Sequence, residues 1–207
     1  MTSWDKYAGK APGWSGEQYA DMPAYLAHRA ELVRVLGPPL EPGDLVLDLA
    51  CGDGALGDFL PEQRYRGVDA SEEMVAAGRA RGRDLTRADL NDYAPPGPVH
   101  ATTIFRAIYY ARDRHELLGR IAGYTERKLV LDLNPRQYRL AELRADLEAA
   151  GFDRVDTRPF FVPQTRAILP SAVPLLPALE RSGPLARLLL RFRFTLLVAA
   201  SRRAGAS

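Results

Sequence analysis

Residues 46–57 read Val-Leu-Asp-Leu-Ala-Cys-Gly-Asp-Gly-Ala-Leu-Gly, and few local sequences leave a chain so little choice. A β-branched and leucine run ends in a carboxylate, Asp48. A loop of small residues follows at once, with Gly52 and Gly54 at its centre, and a helix-like segment begins near Ala55. The pattern predicts a buried strand entering a tight turn, against which a ligand can lie on bare backbone. Glycine permits the unusual dihedrals of such a turn and leaves no Cβ in the ligand's way. A carboxylate at the strand end suits hydroxyls or an ammonium group better than a pyrophosphate.

The spacing Gly52-x-Gly54-x-x-Gly57 also satisfies the dinucleotide fingerprint. In dinucleotide folds the glycines and the helix N-terminus face a negative pyrophosphate. Asp48 just before the loop and Asp53 inside it would repel that group. On these residues the chain resembles class I S-adenosylmethionine-dependent methyltransferases. Their first motif is an acidic residue followed by a small-x-Gly-x-Gly loop, matched by Asp48, Ala50, Gly52 and Gly54. Ala50 stands where many members have glycine. The resemblance implies an α/β fold: a Rossmann-like, doubly wound, seven-stranded sheet, mostly parallel with an antiparallel last strand. It covers about Glu17 to Ala200, and Leu45–Asp89 carries the motifs.

A length of 207 residues suits one α/β domain with an extension, or at most two small domains. The hydrophobic fraction of 46% is enough for a sizeable core. The single cysteine, Cys51, excludes an internal disulfide and a multi-cysteine zinc site. It is compatible with a reducing compartment, and within the glycine loop it reads as a small packing residue. The N-terminus lacks a charged-then-apolar signal pattern, and no run of 18 apolar residues occurs, so a cytoplasmic protein is expected. A net charge of +2 gives no general case for nucleic acid. From Arg166 onward, however, there are seven arginines and one acid, Glu180. That stretch reads either as a solvated surface or as one facing an acidic substrate or anionic membrane.

Four segments are expected: residues 1–40 as an N-terminal arm and lid helix, 41–162 as the cofactor-binding core, 163–191 as a helical cap, and 192–207 as last strand and tail. Apolar residues recur at helical spacing from Glu17 to Leu36, and Gly37-Pro38-Pro39 ends that helix. Strand and helix patterns then alternate, as parallel α/β folds require. Strands are expected at Leu45–Ala50, Tyr65–Asp69, Leu85–Ala88, His100–Phe105, Lys128–Leu133, Phe152–Val162 and Phe192–Ala199. Helices are expected at Ala55–Leu60, Glu72–Arg81 capped by Ser71, Asp113–Tyr124 and Arg136–Ala150. The proline- and leucine-rich stretch Pro163–Arg191 reads as short helices.

The resemblance assigns roles toward S-adenosylmethionine, whose spent form is S-adenosylhomocysteine. Asp48 would face its ammonium group, and Gly52 and Gly54 would admit it to the backbone. Asp69, followed by Ala70, would accept the ribose hydroxyls, as acids do in dinucleotide folds. Asp89 would accept from the adenine amino group, and Leu90 would donate its backbone N–H. Tyr19 and Arg29, on the lid helix, would lie against the cofactor and pair its carboxylate; otherwise they are core packing and a solvated charge. Phe105 and Arg106 begin the loop that would face the transferred methyl. Tyr109, Tyr110 and His115 follow as candidates to stack on or deprotonate an acceptor, with Asp132 and Asn134 nearby. His28 and His100 read as structural.

Phe105-Arg106-Ala107-Ile108 does not match the Pro-Pro-aromatic motif of enzymes that methylate exocyclic base amines. Cys51 lies in the wrong loop for cytosine C5 chemistry. The acids after the fourth and fifth strands are too few for a catalytic metal. The reading is therefore a methyltransferase acting on an O or N atom of a small, partly apolar molecule. A catalytically silent cofactor-binding regulatory protein and a nicotinamide oxidoreductase are the alternatives; oligomeric state stays open.

Overall fold

The computed structural model describes residues 19–164, 175–190 and 195–202. Seven strands form one sheet: β1 (Leu45–Leu49), β2 (Arg64–Asp69), β3 (Leu85–Arg87), β4 (Val99–Ile104), β5 (Thr125–Leu133), β6 (Arg154–Phe160) and β7 (Thr195–Ser201). Their spatial order is β3-β2-β1-β4-β5-β7-β6. Pairings among the first five are parallel, and β7 runs antiparallel to both β5 and β6. The expected seven-stranded Rossmann-like sheet is present. Its order reverses between β1 and β4, where open α/β sheets form a ligand crevice beyond the strands' carboxyl ends.

Alternation along the strands decides which side chains meet there. Leu47 and Leu49 of β1, with Ile104 of β4 and Leu129, Leu131 and Leu133 of β5, join one apolar core. Helix α2 (Glu72–Arg79) packs on β2 and β3, and helices α3 (Arg114–Tyr124) and α4 (Leu140–Ala149) cover that core. Val46, Ala101, Val130, Leu197 and Ala199 point to the other face, where α1 (Met22–Val35) packs. Because side chains alternate with period two, Asp48, Thr103 and Asp132 fall on the α1 face. Three polar positions are thereby directed beneath one helix.

Helix α1 starts at Met22, where the Asp21 carboxylate accepts from the Ala24 amide at 3.0 Å and Pro23 occupies the first turn. Its C-terminal carbonyls are met by a buried lysine. Lys128 of β5 donates to Arg34 O at 3.0 Å and Leu36 O at 2.8 Å. Burial, aided by nearby Arg127, pushes this ammonium down to about 7. The exposed carbonyls of a helix C-terminus favour a donor of positive charge there.

Cap helices α5 (Leu176–Glu180) and α6 (Pro184–Leu189) lie between β6 and β7. The first is fastened to α1: His28 Nε2 lies 2.8 Å from Glu180 Oε2, and the Phe161 amide donates to Glu180 Oε1 at 2.8 Å. Burial opposes the imidazolium, but Glu180 and Glu31 outweigh it and raise His28. His100 accepts from the Leu45 amide at 2.9 Å, far from the strand tips. Residues 1–18, and with them the arm, lie outside the described residues, as do Arg166, Arg191, Arg193 and the expected start of the last strand at Phe192.

Several boundaries differ from expectation. The short helix expected at Ala55–Leu60 is a 3-10 helix over Ala55–Phe59, one residue shorter. Strand β3 stops at Arg87, so Asp89 sits in a following turn and does not end the strand. Strand β5 starts at Thr125, whose hydroxyl meets that of Thr102 at 2.6 Å. Helix α4 starts at Leu140 rather than Arg136, because Asn134 makes a turn: its Oδ1 accepts from the Arg136 amide at 3.1 Å. Strand β7 runs two residues past the expected Ala199. Among the described residues, no helix is long and apolar enough to cross a membrane.

Candidate functional site

An open cavity lies at the carboxyl ends of β1, β2 and β4, beneath α1. Its floor is the glycine loop. Ala50, Gly52 and Gly54 adopt left-handed backbone at φ 57°, 61° and 75°. A Cβ on Gly54 would come within 2.6 Å of Leu85, so that position excludes side chains for two reasons. Ala50 carries the strain of a methyl group in this conformation. Cys51 is packed against Gly67, and burial holds its thiol well above the ordinary range. It is a protonated packing residue.

Asp69, at the tip of β2, shapes the loop. Its Oδ2 accepts from the Gly52 amide at 2.8 Å and its Oδ1 from the Ser71 amide at 2.9 Å. Burial raises its pKa while those two amides oppose the rise. Each oxygen keeps a second lone pair toward the cavity.

Asp48 lies deeper. Tyr65 donates to its Oδ2 at 2.8 Å and Thr103 to its Oδ1 at 2.6 Å. Burial pushes its pKa up to about 6, against the pull of those hydroxyls and of Arg29. Thr103 is its direct partner across the β1–β4 register, and Tyr65 lies two residues before its β2 partner, Gly67. Neither stood out in the sequence. Period two would have indicated them only once the neighbouring strands were known.

Asp53 was expected to place negative charge in the loop. Instead Arg81 at 2.7 Å and Arg83 at 3.3 Å neutralise it. The repulsion of phosphate therefore rests on Asp48 and Asp69 alone.

Arg29 of α1 forms the opposite wall. It is 3% exposed rather than solvated. Its guanidinium stacks over Phe105 at 4.3 Å and Tyr25 at 4.6 Å, donates to the Tyr25 hydroxyl at 2.6 Å, and lies 3.6 Å from Asp132. Its Nε has no hydrogen-bond partner. An orphaned donor on a buried cation beside a cavity fits an incoming carboxylate. Tyr19 stacks on Tyr25 at 4.5 Å and also lines the cavity. Burial raises Asp132, opposed by Arg29 and by the Arg106 amide, which donates to Asp132 Oδ1 at 2.6 Å.

The loop after β4 closes the remaining side. Phe105, Arg106, Tyr109 and Tyr110 all line the cavity. Arg106 has φ 56°; with Ala50 it is one of two non-glycine residues in the left-handed region among the described residues. Tyr109 is 50% exposed, its ring centroid 4.4 Å from that of Tyr110.

Four expected site residues do not reach the cavity. His115 is 67% exposed on α3 and pairs with Asp146 at 3.2 Å, so the structure corrects its reading as a candidate base. Asp89 pairs with Arg112 at 3.0 Å and accepts from the Asn91 amide at 2.8 Å. Leu90 is buried in the core. Ala70 follows Asp69 but is not among the lining residues, whereas Ser71 and Met74 just beyond it are.

The sheet order, the acidic strand tips and the glycine loop define the class I S-adenosylmethionine-dependent methyltransferase fold. Comparison with known proteins agrees. A chain of the complex between the Haloferax volcanii Trm112 methyltransferase activator and a methyltransferase superposes with TM-score 0.65. It is 22% identical and covers 97% of this chain and 98% of that one. Magnesium protoporphyrin IX methyltransferase from Synechocystis, solved with bound S-adenosylhomocysteine, gives TM-score 0.62 at 16% identity, covering 96% and 97%. In sequence, trans-aconitate 2-methyltransferase of Mycobacterium tuberculosis is 34% identical over 115 residues, which is 52% of this chain and 42% of that protein. The chain thus spans less than half the length of that relative. The family model described as Methionine biosynthesis protein MetW matches residues 29–95.

Proposed function

We propose that this chain is an S-adenosylmethionine-dependent methyltransferase acting on an O or N atom of a small, partly apolar molecule. The observation that carries the reading is the cavity's charge arrangement. Asp69, Asp48 and Arg29 come from three separate elements and face one space above left-handed glycines. Asp69 would accept both ribose hydroxyls. Asp48 would neutralise the ammonium group, and Arg29 would take the carboxylate on its unused Nε. Tyr19, Phe105 and the backbone of Ala50, Gly52 and Gly54 would enclose the cofactor, with Ser71 and Met74 forming the wall beyond Asp69.

When bound, the cofactor supplies a methyl group already activated by its sulfonium. The remaining work of the chain is alignment and exclusion of water. Tyr109 and Tyr110 offer ring surface to an acceptor at the open side. In this scheme residues 1–40 would serve as N-terminal arm and lid helix, 41–162 as the cofactor-binding core, 163–191 as helical cap and 192–207 as last strand and tail.

Calorimetry with S-adenosylhomocysteine and NAD side by side tests the cofactor. We expect binding of the first and none of the second; tighter NAD binding would make the chain an oxidoreductase. Transfer from radiolabelled S-adenosylmethionine to a small-molecule panel that includes trans-aconitate tests catalysis. Tight cofactor binding without transfer to any acceptor, together with a stable protein partner, would make it a regulatory binder.

The cap supports a further contact. Leu175, Leu185 and Leu188 are exposed on or beside α5 and α6, and Glu180, the one acid from Arg166 onward, is buried against His28. Arg181, which is exposed, and the further arginines of the sequence from Arg166 onward would draw this stretch to anionic lipid. Co-sedimentation with vesicles should rise with phosphatidylserine content and fall with salt; equal sedimentation on neutral vesicles would remove the electrostatic contact.

A further inference from the structure

We propose that the methyl acceptor carries a carboxylate, which Arg106 binds at the open side of the cavity. This rests on the cofactor reading above and names the chemistry of the second ligand.

Among the described residues, Arg106 and Arg29 are the two cations lining the cavity. Arg29 is taken up in the cofactor reading: its free Nε is the donor assigned there to the cofactor's carboxylate, and the rest of its buried guanidinium is held by Tyr25, Asp132 and the rings of Phe105 and Tyr25. Arg106 is exposed, and its guanidinium makes no hydrogen bond or ion pair among the described residues. Most other arginines near the sheet edge have a carboxylate partner: Arg81 and Arg83 on Asp53, Arg87 on Glu72, Arg112 on Asp89 and Asp92.

The backbone places Arg106 deliberately. A non-glycine residue in left-handed conformation costs about 1 kcal/mol or more, and such strain persists only where surroundings enforce it. Here the buried Asp132 carboxylate takes the Arg106 amide at 2.6 Å and fixes the turn. Arg106 lies two residues beyond the end of β4 and lines the cavity together with Tyr109 and Tyr110. The cavity thus holds a cation with no partner among the described residues, beside carboxylates, Asp48 and Asp69, whose oxygens already accept from hydroxyls and amides.

Acid–base chemistry points the same way. None of the three histidines lines the cavity: His28 lies under the cap, His100 at the far end of β4 and His115 on α3. Asp48 and Asp69 are engaged by hydroxyls and amides. A carboxylate acceptor needs no base, because it is already ionised at neutral pH. One carboxylate oxygen would form the new O–CH₃ bond with its lone pair. The S–CH₃ bond would break with its electrons going to sulfur, giving a methyl ester and a neutral thioether, with no proton transferred. A single arginine suits this ligand: its planar fork matches a carboxylate in two parallel hydrogen bonds, whereas a phosphate dianion would call for further donors.

The test is calorimetric titration of succinate, benzoate and propane-1,2,3-tricarboxylate into protein saturated with S-adenosylhomocysteine, with the corresponding amides as neutral comparators. At least one carboxylate should bind the parent, at least about tenfold tighter than its amide. Arg106→Gln should lose that preference and Arg106→Lys should keep part of it. Affinity for S-adenosylhomocysteine, titrated first, should stay within about twofold in both variants, since the contact is to the second ligand. The proposal is overturned if no carboxylate binds the parent, if amides bind equally, if Arg106→Gln binds carboxylate as the parent does, or if that variant loses S-adenosylhomocysteine instead. A parent that does not hold S-adenosylhomocysteine would overturn the cofactor reading itself, at the first titration.

Discussion

An Asp69→Ala protein is expected to hold S-adenosylhomocysteine at least about 100-fold more weakly than the parent, a loss near 2.7 kcal/mol. Hydrogen bonds to an ionised acceptor contribute about 1.5–3 kcal/mol each, and Asp69 has a free lone pair on each oxygen for the two ribose hydroxyls. Part of the loss would come through the loop. Without the carboxylate, the Gly52 amide loses its acceptor, and the left-handed turn at Ala50 and Gly52 loses a tether. Asp69→Asn separates the two effects. Its amide oxygen can still receive one backbone N–H, but only one of its two terminal atoms accepts from hydroxyl hydrogens. We expect Asp69→Asn to melt close to the parent and still bind at least about tenfold more weakly. Isothermal calorimetry gives the affinities and thermal unfolding monitors the loop. An alanine variant within threefold of the parent would remove Asp69 from the cofactor site.

How far the sequence reveals this site follows from the range of the forces involved. Local features are legible. The β1 run, the Asp48–Gly54 loop, the Ser71 cap and the acid ending β2 are set by dihedral preference and capping over a few residues. The seven-stranded order is not local and enters through the family resemblance. Features that depend on two distant segments meeting are not legible. Asp89 carries the right chemistry at the right distance from β3. Arg112 nonetheless pairs with it from 23 residues away, and the strand ends early. His115 follows the methyl-facing loop, yet the turn of α3 directs it to Asp146 on α4. Arg29 reads more readily as a solvated charge than as a site residue until β4 and β5 place Phe105 and Asp132 around it. Asp53, a charge inside the loop, is cancelled by arginines 28 and 30 residues away.

Asp48→Asn is expected to make the protein more stable at pH 8 and poorer at binding its cofactor. Burial pushes Asp48 up to about 6, from an ordinary value of 3.8. About two units correspond to roughly 3 kcal/mol of disfavour for the charged form. Near pH 3 and below, both folded and unfolded chains hold the proton and no penalty exists. Between about 4 and 6 the unfolded chain gives up its proton first, so stability falls as pH rises through that window; above it the penalty is constant. Asparagine fits the same space without the charge. Tyr65 can still donate to its carbonyl, and the Thr103 hydroxyl can turn to accept from its amide. The variant should therefore melt several degrees above the parent at pH 8, with a flatter pH profile of melting temperature between 4 and 6. Cofactor binding should move the opposite way. An ammonium group beside the carboxylate favours its charged form, so binding should release a proton near pH 5–6 and tighten as pH rises through that range. Calorimetry in two buffers of different ionisation enthalpy counts that proton, and Asp48→Asn should abolish it while weakening binding at pH 8 by about tenfold or more. Stability sacrificed at a site whose charge awaits a ligand is the expected signature of function. A variant that melts below the parent at pH 8, or that binds with undiminished proton release, would show that Asp48 serves the fold rather than the ligand.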